Sequence, residues 1–220
     1  MTTPIGTALT LKPRKLVAAT LVGLLTVAVD LIFVSRHMWY ERGTLPLIAV
    51  VVLLELADGD RLTLGFRTRP LQGWSYWARM TLWLGLVVVA VLTACTWVVM
   101  VSGYELPVIT TAPHMASKRF WQMCINAPIL EESIYRFALC VPLAALMRPW
   151  SVIMTSGVAF GLLHVDYGNP SPENAVGGFI LAWAFLKSGS IYVPVMLHGL
   201  GNFCVLAAQV TGWYWLHNGA

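Results

Sequence analysis

Residues 81–101 are an unbroken run of 21 positions without a charged side chain. As a helix rising 1.5 Å per residue, such a run extends about 31 Å, which matches the roughly 30 Å hydrocarbon core of a bilayer. A segment in hydrocarbon must satisfy its own backbone N–H and C=O groups, and a helix does so internally. The pattern repeats along the chain. Residues 16–34 are apolar with Asp30 as their only charge, and residues 120–147 are interrupted only by Glu131, Glu132 and Arg136. Residues 152–165, 175–186 and 191–210 add three more apolar segments, the first two borrowing flanking residues to span. Residues 45–57 are apolar for 13 positions but contain Glu55, a length that fits a short span, a re-entrant segment or an interfacial helix. With 58% of residues apolar, 11% charged and a mean hydropathy of +0.72, water is not this chain's main solvent. A soluble domain carries about 25% charged residues. The sequence predicts an all-α, polytopic transmembrane helix bundle of about seven segments, between six and eight, built as one integral-membrane domain over residues 1–220.

The polar remainder orients this frame. Residues 1–15 read as a short cytoplasmic tail; the first apolar run is too long for a signal-peptide core and lacks a small-residue cleavage site. Residues 58–79, with Arg61, Arg67, Arg69, Arg79, Trp74, Tyr76 and Trp77, read as an interfacial loop with aromatic anchors. A polar connection with Pro107 and Pro113 follows the third span, and a turn-rich stretch covers residues 168–172. With seven spans and a cytoplasmic N-terminus, Lys12, Arg14, Lys15, Arg61, Arg67, Arg69, Arg79, Arg148 and Lys187 fall inside. Arg36, Arg42, Lys118 and Arg119 fall outside. The excess obeys the positive-inside rule, whereas everything after residues 45–57 inverts if that segment does not span; the net charge of +4 reads as loop charge and implies no nucleic-acid partner. Membrane lipid is the expected surrounding. Cys95, Cys124, Cys140 and Cys204 lie in apolar runs without CxxC spacing and read as packing residues. Gly157, Gly161, Gly177, Gly178, Gly199 and Gly201 read as small residues that let helices approach. Nothing specifies an oligomeric state.

Chemistry concentrates in a few intramembrane positions. A charge at the centre of a membrane helix costs roughly 2.5 to 3.5 kcal/mol on insertion scales, yet the hexapeptide from Glu131 to Arg136 contains three. Glu132 and Arg136 are four apart on one helical face in the favourable acid-before-base order, so they are expected to pair. Glu131 points about 100° away. Adjacent carboxylates in a poorly solvated site resist double ionisation, which suits one of them to general acid–base work. An ion pair that merely locks helices together is the plainer alternative, but it needs two residues and three are present. His164 and His198 lie in later apolar segments, and Asn202 follows His198 by four, so those two project from one face. His37, His114 and His217 fall in loops or at interfaces.

Glu131-Glu132-x-x-x-Arg136, Phe160-x-x-x-His164 and His198-x-x-x-Asn202, in that order on three apolar helices, resemble the CPBP (CAAX protease and bacteriocin-processing, or Abi) family of intramembrane endopeptidases, which includes the type II CAAX prenyl proteases. The resemblance covers residues 120–207, the expected catalytic core, and includes Pro128 before the Glu pair. Phe137 stands where the family often has glycine, a departure that bears on subfamily and substrate. The resemblance implies a glutamate-type peptidase: Glu131 with His164 activating water, His198 and Asn202 stabilising the oxyanion, and Glu132 with Arg136 as a supporting pair. It favours no cofactor. A zinc ion held by Glu131, His164 and His198 is the alternative, since a carboxylate and two imidazoles also form a catalytic zinc site with an open position.

The expected substrate is a membrane-associated protein or peptide cut near its end: a prenylated tail, leader peptide, pheromone or sorting signal. The expected location is a prokaryotic plasma (inner) membrane. Two other classes use the same residues, a proton-coupled transporter or channel with the carboxylates and histidines as a relay, and a non-catalytic immunity or scaffold protein. Transporters commonly show paired halves, and no internal repeat is visible.

Overall fold

A computed structural model describes residues 12–103, 109–169 and 172–218. Most of the expected N-terminal tail, Pro107, and positions 170 and 171 of the expected turn lie outside the described residues. The chain is all-α, and the extended pairing among the described residues is one isolated bridge between Phe66 and Ser190. All seven apolar segments are helical. Helices α1 (Pro13–Ser35), α2 (Trp39–Arg42), α3 (Leu45–Leu56) and α4 (Trp74–Val101) come first. A nearly continuous helical run follows through α5 (Pro113–Phe120), π1 (Trp121–Asn126), α6 (Ala127–Glu132), π2 (Ser133–Ala138) and α7 (Cys140–Leu146). Helices α8 (Pro149–Asp166), α9 (Pro172–Ser188) and α10 (Tyr192–Asn218) complete the chain. Proline in the first turn starts α1, α3, α5 and α8, where a missing N–H costs no helical bond.

Among the described residues, three helices are long and apolar enough to cross a membrane: Pro13–Ser35, Trp74–Val101 and Tyr192–His217. The 12-residue α3 extends only about 18 Å, well short of a hydrocarbon core. Several expected boundaries are corrected. Trp74, Tyr76, Trp77 and Arg79 belong to α4, and Trp77 is fully buried instead of anchoring an interface. Lys118 and Arg119 sit on α5, not in a loop, and α10 takes in His217.

The helix expected over residues 120–147 contains two π segments, and proline accounts for their placement. A proline within an α-helix removes an N–H and presses on the carbonyl four residues back. For Pro128 and Pro142 those carbonyls belong to Cys124 and Ala138, inside π1 and π2, where the wider turn relieves the clash. The Glu131-Glu132 pair lies on the α-turn between them.

The chain forms two compact units, Met1–Leu71 with Pro128–Met196, and Gln72–Ala127 with Leu197–Ala220. In the first, a Cβ on Gly23 of α1 would collide with the Ala138 carbonyl of π2, so only glycine permits that approach. Gly157 faces the Phe179 ring, and Gly178 lies against the Gly157 carbonyl and Phe160, which makes these two the close-approach points of α8 and α9. Gly161 makes ordinary contact with Ala175. A Cβ added at Gly177 or Gly201 would meet nothing within 4 Å, so neither position requires glycine for lack of room. The loop after α3 is pinned to the α9–α10 turn: Leu71 N donates to Ser188 O at 2.9 Å, Ile191 N to Gly65 O at 2.9 Å and Ser190 Oγ to Arg67 O at 2.6 Å. In the second unit, Thr111 Oγ1 donates to Gln209 Oε1 on α10 at 2.7 Å, and the Phe120 and Phe203 rings meet edge to face.

Candidate active site

The first unit brings Glu131, Glu132, Arg136 and His164 into one buried polar cluster. Glu132 and Arg136 are both fully buried and form the expected pair, with Arg136 Nε 3.0 Å from Glu132 Oε2. Phe160 of α8 lies under the guanidinium, 4.5 Å from its ring centroid, and Ser156 Oγ accepts from Arg136 Nη1 at 3.4 Å. Ser156 also donates to the Tyr135 carbonyl at 2.8 Å, tying α8 to π2. A guanidinium over an aromatic face keeps part of its charge stabilisation without water.

Glu131 is 3% exposed and turned to other neighbours. Its Oε1 accepts the Tyr167 hydroxyl proton at 2.9 Å and lies 3.9 Å from Arg42 Nη1. Arg42 also donates to the Tyr167 oxygen and holds Asp30 through Nε–Oδ1 at 2.6 Å and Nη2–Oδ2 at 3.2 Å. Tyr135 donates to Asp30 Oδ2 at 3.0 Å. Arg42, between α1 and α3, is held above its ordinary pKa: burial opposes its charge, but the Asp30 hydrogen bond and the charges of Tyr167, Asp30 and Glu131 outweigh that.

His164 is buried near the end of α8, and its Nδ1 bonds the Phe160 carbonyl one turn back at 3.0 Å. When Nδ1 donates there, the neutral ring carries its lone pair on Nε2, the nitrogen a water O–H would meet. The Tyr167 ring stands edge-on to His164 at 5.6 Å while its hydroxyl holds Glu131, so one side chain touches both expected partners of the water.

The second unit carries the remaining two expected residues on α10. His198 and Asn202 are both half-buried. Asn202 Nδ2 donates to the Met123 carbonyl of π1 at 2.7 Å, which uses one of its two N–H groups and fixes the amide.

Asp30, Arg42, Tyr135 and Tyr167 were missed in the sequence, and Arg42 was placed among exposed loop charges although it is 3% exposed. A signal was available for Asp30: a single carboxylate in an apolar run demands a partner. None existed for Tyr167. Among the described residues, no group of three or more His, Cys, Asp or Glu is arranged to hold a metal ion.

Residues 113–204, somewhat under half of the chain, match the family model described as type II CAAX prenyl endopeptidase Rce1-like. All six site residues expected from the sequence lie within that segment, whereas Asp30 and Arg42 do not. No curated protein and no solved structure matches the chain.

Proposed function

We propose that the chain is an intramembrane endopeptidase of glutamate type, similar to the CAAX protease (CPBP) family, that cuts a membrane-associated protein or peptide near its end, a reading supported by the match of residues 113–204 to the Rce1-like type II CAAX prenyl endopeptidase model. The observation that carries this reading is that the half-buried Tyr167 links the buried Glu131 and His164 inside the matched segment. A water accepted between the Glu131 carboxylate and His164 Nε2 has two proton acceptors and an oxygen lone pair for attack. The water oxygen bonds to the peptide carbonyl carbon as Glu131 takes its proton. The carbonyl π electrons move to oxygen, and the collapse of that tetrahedral state expels the amine, which receives the proton from Glu131. An oxyanion needs fixed donors, and His198 with the second N–H of Asn202 are the donors that the family pattern supplies. Glu132 and Arg136 act as the supporting pair.

Zinc held by Glu131, His164 and His198 would supply Lewis-acid chemistry. The geometry around Glu131 does not favour it, because a guanidinium 3.9 Å from the carboxylate already provides its countercharge and repels a dication.

The proposed setting is a prokaryotic plasma membrane, and with α3 too short to cross it the proposed number of spanning segments is six. The test compares the termini of membrane proteins in cells carrying the parent, Glu131→Ala or His164→Ala. The expected result is a set of shortened proteins in the parent that are full-length in both variants; the same termini in all three would remove the peptidase reading.

A further inference from the structure

The Asp30–Arg42 ion pair plays no part in the water-activation chemistry described above, and both residues come from outside residues 113–204. Asp30 of α1 is fully buried, and Arg42 at the end of α2 is 3% exposed. The guanidinium spends Nε and Nη2 on the two carboxylate oxygens, at 2.6 and 3.2 Å, and the Tyr135 hydroxyl adds a third bond to Asp30 at 3.0 Å. That fork fixes the plane of Arg42 and aims Nη1 at the Tyr167 oxygen and at Glu131. A phenol oxygen that accepts from Arg42 directs its single O–H elsewhere, and here it goes to Glu131 Oε1 at 2.9 Å. Burying an ion pair is a poor route to stability, because the loss of hydration rivals the attraction gained. One hydroxyl away from Glu131, this pair has another use.

We propose that Asp30 and Arg42 are positioning residues of the active site, acting through Tyr167 to hold the Glu131 carboxylate in its working orientation, so that α1 and α2 complete a site whose family pattern lies entirely in later helices. The proposal deepens the peptidase reading and rests on Glu131 being the carboxylate that activates water. Its chain of contacts runs Asp30, Arg42, Tyr167, Glu131, and a break at any link should cost turnover more than binding. Misplacing a reacting group by about 1 Å costs on the order of a hundredfold in rate.

The experiment uses the full chain in liposomes as parent, Tyr167→Phe, and Asp30→Asn combined with Arg42→Gln. The neutral pair is chosen because Arg42→Gln alone would leave a buried carboxylate uncompensated. Cleavage is measured on a membrane protein whose terminus changes in the comparison above, alongside the unfolding temperature. The expected result is a kcat loss of about tenfold or more with KM nearly unchanged, in a protein that unfolds near the parent temperature, and little further loss when Tyr167→Phe is added to the neutral pair. Parent-like kcat in the stable neutral pair would overturn the proposal, as would losses that multiply on combination. If the neutral pair fails to fold, Tyr167→Phe decides: a kcat loss supports the proposal and parent kcat overturns it. A thermal-unfolding cycle of Tyr167→Phe and Glu131→Gln needs no substrate. Non-additive shifts support the link, and additive shifts overturn it. If Glu131→Gln itself cleaves as well as the parent, the peptidase reading fails, while the cycle still reports whether the network grips Glu131.

Discussion

Glu132 finds its partner four residues along its own helical run, 3.0 Å away, whereas Glu131, its immediate neighbour, is held by a tyrosine 36 positions on and an arginine from α2. The surroundings of Glu132 are closed: Arg136 is capped by Phe160 and braced by Ser156, all fully or nearly fully buried. Those of Glu131 open toward Tyr167, which is only half-buried, and onward to His164. One peptide unit therefore separates a carboxylate paired within its own helical run from the one to which the proposed mechanism gives the chemistry. Placing two acids in tandem costs less when one is neutralised locally, because the other then faces a pair and not a second free charge.

Breaking the closed side should produce the largest change in folding. Arg136→Ala leaves Glu132 buried without its partner, and a loss of about 3–5 kcal/mol in denaturant-induced unfolding is expected. Glu132→Gln together with Arg136→Met should recover most of that; no recovery would mean that the pair is not what makes the single change costly. Next comes Ser156→Ala, which strips the buried Tyr135 carbonyl of a donor and Arg136 of an acceptor. A stability loss of about 1–3 kcal/mol is expected with kcat per folded molecule unchanged, and a large kcat loss would erase the distinction between the two sides. The smallest effect belongs to the open side. Trp39 stacks on Tyr167 at 5.8 Å but is itself exposed, so Trp39→Leu should cost only about 0.5 kcal/mol in the unfolding midpoint while lowering cleavage a few-fold. A change in stability without any change in cleavage would show that Tyr167 needs no such support.

The sequence was legible wherever a rule of local spacing applied. Apolar runs located all seven helical segments, and the i, i+4 interval correctly paired Glu132 with Arg136 and turned Glu131 away. It was not legible where the partner came from a distant part of the chain. Arg42 and Tyr167 are 125 residues apart, and nothing local in either neighbourhood announces the other. The π segments were missed for a different reason. Pro128 and Pro142 were visible, but whether a helix kinks, breaks or widens at a proline depends on what packs against it, here Gly23 of α1 against the Ala138 carbonyl. Glycine spacing was similarly half-informative: it found the Gly157 and Gly178 contacts but gave the same weight to Gly177 and Gly201, where an added Cβ would meet nothing within 4 Å.

The division of labour between the neighbouring acids is tested most directly by measuring cleavage and unfolding temperature together for Glu131→Gln and Glu132→Gln in purified full-length protein. Glu131→Gln is expected to unfold within a few degrees of the parent yet cleave on the order of a thousandfold more slowly. Glu132→Gln should show the opposite balance, with the larger fall in unfolding temperature and residual cleavage in whatever remains folded. Parent-like cleavage by stably folded Glu131→Gln would contradict that division.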